Sequence, residues 1–152
     1  MPNPWGTAIS LAAARTIVVR ALAHPRSSDF PPMTVAVLDA GQLVAFARED
    51  GSSLLRGRIA RAKARGALNI GVGSPSLAAR AAAHSAFINS VVALADGDFV
   101  PAAGGVLVRD DDNNVIGAVG VSGSLPNDDE ACAIHGIAAA GLRADPGAAD
   151  PT

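Results

Sequence analysis

Val115-Ile-Gly-Ala-Val-Gly-Val-Ser-Gly-Ser-Leu-Pro-Asn-Asp-Asp-Glu130 is the stretch whose reading decides the fold. From Val115 to Val121 apolar, β-branched residues fall at positions of both parities, which fits a strand covered on both faces. Gly117 and Gly120 leave room for other backbone to approach closely. Ser122-Gly123-Ser124 reads as a loop, and Pro126 as the first residue of a helix, where its missing N–H costs nothing. Asp128, Asp129 and Glu130 fall in that helix's first turn. There they oppose the positive end of the helix dipole, or hold a cation or a proton. Strand, turn and helix is ordinary architecture, so this spacing alone does not make a site.

Working outward, Val106–Arg109 pairs with this strand through the polar turn from Asp110 to Asn114. That turn is not a calcium loop: Val115 stands where an EF-hand needs glycine and Val121 where it needs glutamate. Met33–Leu38 and Leu43–Arg48 flank Asp39-Ala-Gly-Gln42, a hairpin signal with Gly41 as the expected positive-φ residue. Helical spacing marks Thr7–Leu22, which Pro25 stops. It also marks Leu54–Ile70, then Leu77–Ala95 with Ser74 or Ser76 as cap, and Pro126–Leu142. Helices thus precede, separate and follow two strand pairs. The expectation is one α/β (α+β) domain over residues 7–143, with flexible termini at 1–6 and 144–152.

The 152 residues can bury a proper core. Their hydrophobic content of 49% includes only 3% aromatics, and the excess is alanine. Flat alanine-rich helices bury little area per residue, so association into a homo-oligomer is expected to add stability. A net charge of −2 argues against nucleic acid, which needs clustered excess basic charge. The single cysteine, Cys132, excludes an intramolecular disulfide and a thiolate metal cage. No window is apolar enough to span a membrane, and no basic segment leads into a long apolar run, so the expected location is cytoplasmic.

Several residues stand out as candidates. Lys63, the only lysine, projects from the apolar stripe of its helix, either snorkelling to the surface or holding an anion or ion-pair partner. Glu130 points toward the core on a helical projection and needs a partner or a proton, with Lys63 one candidate. His84 falls on the packing side of Leu77–Ala95, as a satisfied core imidazole or as a ligand. Cys132 and His135 share a face turned to solvent or to a neighbouring subunit, too few for a zinc site. His24 suits the end of the first helix. Gly104-Gly105 and Ser122-Gly123 offer backbone amides.

Five motifs in one order resemble a known family. They are Met33-Thr-Val-Ala-Val-Leu-Asp-Ala-Gly41, Leu43-Val-Ala-Phe-Ala-Arg-Glu-Asp-Gly51, Ile59-Ala-Arg-Ala-Lys-Ala-Arg65, Gly104-Gly-Val106, and Val115-Ile-Gly-Ala-Val-Gly-Val-Ser-Gly123 with Pro126 and Asp129-Glu130. Together they resemble the GlcG/HbpS-like domain, also found at the C-terminus of PduO-type proteins. The resemblance implies a profilin-like antiparallel sheet of about five strands flanked by helices, assembled as dimers, tetramers or octamers. It also implies haem or iron binding in some relatives. Two departures are visible: the first hairpin is one residue shorter, with Gln42 at its tip, and Leu125 replaces a common threonine, leaving Ser124 as substitute cap.

Three functional readings follow. In the first, the domain binds haem, with His84 or His135 as iron ligand and Lys63 or an arginine for the propionates. In the second, it is an enzyme of organic-acid catabolism, a lyase, isomerase or hydrolase. The amides of Gly104, Gly105, Ser122 and Gly123 would hold the substrate carboxylate, and Lys63 and Glu130 would transfer protons. In the third, it is a structural or regulatory oligomer.

Overall fold

A computed structural model describes residues 6–26 and 31–147. In chain order the elements are α1 (Leu11–Ala23), β1 (Thr34–Asp39), β2 (Gln42–Arg48), α2 (Arg56–Ile70), α3 (Ser74–Ala83), α4 (Ser85–Leu94), β3 (Gly105–Arg109), β4 (Val115–Ser122), α5 (Pro126–Ala139) and β5 (Arg143–Asp145). The strands form one antiparallel sheet in the order β2-β1-β4-β3-β5. The expected α+β architecture with five antiparallel strands is the one observed. Among the described residues no helix is long and apolar enough to cross a membrane.

The period-two alternation of the strands sorts their side chains between two layers. Val35, Val37, Val106, Val108, Val119 and Val121 face α1 and α5, where Ile17, Ala21, Ala133 and Ile137 complete the larger core. Leu38, Leu107 and Ala118 face α2, against Ala64 and Ala67. Each helix lies close because glycine or alanine meets it. A Cβ on Gly120 would sit 1.8 Å from the Ala60 carbonyl oxygen of α2, and one on Gly136 would sit 2.5 Å from the Ile17 oxygen of α1. The close approach expected at Gly120 is therefore real.

The structure departs from the sequence reading at several elements. The segment Leu77–Ala95 is not one helix: it breaks at His84, whose φ of −136° and ψ of 58° are not helical. In a continuous helix Leu77 and Ile88 would lie on one face but about 16 Å apart. The break lets both join Phe99 in a small separate cluster, and it leaves His84 exposed rather than on the packing side. The helix also starts earlier than expected, at Ser74, with Gly73 as cap and no side-chain cap bond. In the first hairpin the left-handed residue is Ala40 (φ 51°), not Gly41.

The C-terminal segment also differs. Ala144 and Asp145, expected in a frayed tail, belong to β5, and Asp145 pairs with Arg109 at 2.7 Å. The remaining tail, 148–152, and the first five residues lie outside the described residues. Helix α5 is turned relative to its predicted face, so that Cys132 is fully buried instead of facing outward.

One polar tie outside the sheet has a pH signature. Glu49 accepts from Arg26 at 2.7 Å and from the Met33 amide at 2.7 Å, joining the end of α1 to the start of β1. Burial would raise its carboxyl, but the bonds to Arg26 and Met33 outweigh burial and hold it below its ordinary 4.5. A folded value below the unfolded one gives stability that is present above pH 4.5 and lost as the pH falls through the lower value. Glu49→Gln is therefore expected to lower stability near neutrality by about 1–2 kcal/mol. It should also flatten the acid limb of a urea-midpoint profile; an acid limb identical to wild type would remove Glu49 from this role.

Candidate functional site

Lys63 and Asp129 meet where α2 and the start of α5 close over the end of β4. The Lys63 ammonium donates to an Asp129 carboxylate oxygen at 3.1 Å and to the Val121 carbonyl at 3.0 Å. Both residues are sealed, at 4% and 1% exposure. Burial pushes the Lys63 ammonium below its ordinary value, against the pull of Asp129, and pushes the Asp129 carboxyl up, against the pull of Lys63. The second carboxylate oxygen of Asp129 accepts from the Ser124 amide at 2.9 Å, and the Gly123 amide also donates to the carboxylate.

Lys63 is thus paired rather than snorkelling, and its partner is Asp129, one residue from the expected Glu130. Glu130 is half-buried, its carboxyl raised by burial, and it makes no bond to Lys63. The amides expected to receive a substrate carboxylate at Gly123 already hold a carboxylate of the chain's own. Ser122 is buried, and its hydroxyl accepts from Arg56 at 3.1 Å. Gly104 and Gly105 serve packing: a Cβ on Gly104 would lie 2.8 Å from the Lys63 ammonium, and one on Gly105 would lie 2.4 Å from the Lys63 carbonyl oxygen. At Gly104 the φ of 119° also favours glycine. Ser124 does not cap α5; its hydroxyl bonds Asp128 instead, at 3.1 Å.

The histidines lie apart from this pair. His84 is exposed at the break between α3 and α4. His135 is exposed on α5 and stacks against His24 at the end of α1, with ring centroids 4.6 Å apart. The close α1–α5 crossing at Gly136 puts these two rings in contact. Cys132, one turn before His135, is inert by burial, its thiol pushed up to about 11. Among the described residues no three His, Cys, Asp or Glu side chains converge as a metal centre would require.

A different feature has the form of a binding site, and the sequence reading missed it. On the α2 side of the sheet, edge strand β2 and the start of α2 frame a groove of about 380 Å³ lined by Leu43, Phe46, Arg48, Leu54, Gly57, Arg58 and Arg61. Gly57 makes its floor flat: a Cβ there would sit 3.0 Å from the Phe46 ring, so the ring lies directly on the helix. Its volume falls within the ~300–1,000 Å³ of small-ligand sites. Leu54 is 92% exposed, an apolar side chain of the unpaired segment left open to water. Arg58 and Arg61, exposed and without an ion pair among the described residues, also line a polar cleft of about 220 Å³ with Asp96 and Asp98. Asp98 itself pairs with Arg65 at 2.8 Å. The three arginines expected on the outer face of α2 divide accordingly: Arg58 and Arg61 stand free, while Arg65 is engaged.

A five-stranded antiparallel sheet with helices on both faces and a groove at its edge defines a small α+β domain. The chain belongs to the HbpS-like family: the model described as haem-degrading protein HbpS-like matches residues 9–138. Among solved structures, a PduOC:haem complex is similar in fold, with a TM-score of 0.78 and 22% identity over 89% of this chain and 96% of that one. Klebsiella pneumoniae protein ORFY aligns with a TM-score of 0.78 and 21% identity, over 93% and 97% of the two chains. The structure of HbpS aligns with a TM-score of 0.73 and 23% identity, over 91% and 92%. No curated protein sequence matches significantly.

Proposed function

We propose that this domain binds an amphipathic organic anion of the haem type in the groove between β2 and α2. The observation that carries the reading is the pairing of an apolar floor, Leu43, Phe46 and Leu54, with a rim of three arginines, Arg48, Arg58 and Arg61. A porphyrin offers the complementary surface, an apolar plate with two carboxylates at one edge. Guanidinium groups suit carboxylates because their planar fork donates two parallel bonds. Membership of the HbpS-like family and the haem complex of the structurally similar PduOC support the same ligand class.

The donor set meets haem in part. The floor fits the macrocycle and the arginines fit the propionates, but no histidine, cysteine, methionine or tyrosine lines the groove for the iron.

An absorbance titration with hemin tests the reading. The combined Arg58→Gln and Arg61→Gln variant is expected to bind about 5- to 30-fold more weakly, each exposed ion pair being worth up to ~1 kcal/mol. The difference should shrink at high salt. Saturable binding with unchanged affinity in that variant would remove the groove as the site.

A further inference from the structure

We infer that the groove recognises the face and carboxylates of a porphyrin while this chain supplies no ligand to its metal, so that metal-free dicarboxylate porphyrin binds as well as the iron complex. The inference rests on the groove reading above and deepens it, naming what part of the ligand is read. It follows from an inventory of every side chain able to ligate haem iron.

The chain has no tyrosine, one cysteine, two methionines and three histidines. Cys132 is fully buried between α5 and the sheet, with its thiol held protonated. Met33 is fully buried at the start of β1, and Met1 lies outside the described residues. Lys63 is committed to Asp129 and Val121. His24 and His135 stack on each other on α1 and α5, the helices that pack on the face of the sheet opposite α2. The sheet therefore stands between them and the groove.

His84 is the remaining donor. It precedes the first residue of α4, while Asp96, in the cleft that shares Arg58 and Arg61 with the groove, follows its last turn. A helix of ten residues is about 15 Å long, so His84 stands a helix length from Asp96, and it lines neither the groove nor that cleft. The arginines themselves cannot serve, because guanidinium stays protonated and has no lone pair to give. What faces a bound macrocycle is leucine, phenylalanine, the Gly57 backbone and positive charge. None of these distinguishes a metallated from an unmetallated ring.

The test titrates the protein with hemin, by absorbance, and with protoporphyrin IX, by fluorescence, at one ionic strength. The expected result is two saturable curves with dissociation constants within about threefold of each other. Arg58→Gln with Arg61→Gln should weaken both by the same factor, and the hemin complex should take up added imidazole without displacement of the porphyrin. Hemin binding more than about tenfold tighter than protoporphyrin, with a bis-nitrogenous or histidine-ligated spectrum that His24→Ala, His84→Ala or His135→Ala removes, overturns the inference and leaves haem binding standing. The same preference surviving all three substitutions overturns it equally, since the ligand then comes from elsewhere in this chain or from a second copy. If neither porphyrin binds saturably, the groove reading fails and this inference with it.

Discussion

Lys63→Ala is expected to cost about 3–5 kcal/mol of unfolding free energy near neutral pH, the usual loss when one member of a buried ion pair is removed. The cost arises on the other partner. Asp129 stays at 1% exposure with the Ser124 and Gly123 amides still aimed at it, but its compensating ammonium is gone. Its carboxyl, already raised by burial, then loses the charge that opposed that rise. A group whose folded value is raised contributes stability that is full below its unfolded value and lost as the pH climbs through the folded one. The gap between variant and wild type should therefore narrow on acidification toward pH ~4. Urea midpoints at the two pH values check this, and a neutral-pH loss below ~1 kcal/mol would show that the pair is not holding α2 to α5. Replacing both partners, Lys63→Met with Asp129→Leu, should recover much of the loss, since apolar pairs of similar volume often match a buried ion pair.

Gly120→Ala should be comparably severe for a reason unrelated to charge. The added methyl would lie 1.8 Å from the Ala60 carbonyl oxygen and 3.1 Å from the Ala64 nitrogen, both main-chain atoms of α2. No side chain can rotate to relieve the clash; the helix must move off the sheet. Overpacking of this kind costs about 1–3 kcal/mol and occasionally more, and here the movement also pulls Lys63 from Asp129. A lowered midpoint with an intact far-ultraviolet spectrum is expected. Gly41→Ala is the control, because its Cβ would meet only the flexible Arg65 side chain, at 4.0 Å. Equal effects of the two substitutions would mean that the α2 contact is not the cause.

The two variants bear differently on ligand binding. Lys63 and Asp129 do not line the groove, yet Arg58 and Arg61 stand on the same helix as Lys63. The pair ties that helix to the start of α5 at the end of β4. Proton transfer by Lys63 with Glu130, as in the enzyme reading, would need the Lys63–Asp129 pair to open, since both charges are sealed and both carboxylate oxygens of Asp129 are already bonded within the chain.

By itself the sequence determined the two hairpins, β1 with β2 and β3 with β4, and the helical segments around them, because alternation and turn chemistry are local signals. β-Branched runs on both parities in Val115–Val121 marked a central strand, and Asp39-Ala-Gly-Gln42 marked the first hairpin. Five ordered motifs were enough to place the chain in its family. The exceptional position of Lys63 was legible too, since a lone lysine on an apolar stripe either snorkels to the surface or finds a partner, and the structure shows the second.

Only the tertiary structure decided which faces of the alanine-rich helices are buried, and hence the identity of that partner. On α5 the buried face carries the small residues Cys132, Ala133 and Gly136, and α1 backbone comes close at Gly136; a projection weighted by hydrophobic side chains turns the helix toward Glu130 instead of Asp129. The break at His84 was likewise invisible, as no proline or glycine marks it and its cause is the demand of Leu77, Ile88 and Phe99 to meet. β5 is three residues long and exists only through its pairing with β3. The groove was hidden for the same physical reason: the sequence marks Leu43 and Phe46 only as strand residues and Leu54 as a helix start, and it is the edge position of β2 that leaves all three exposed beside arginines.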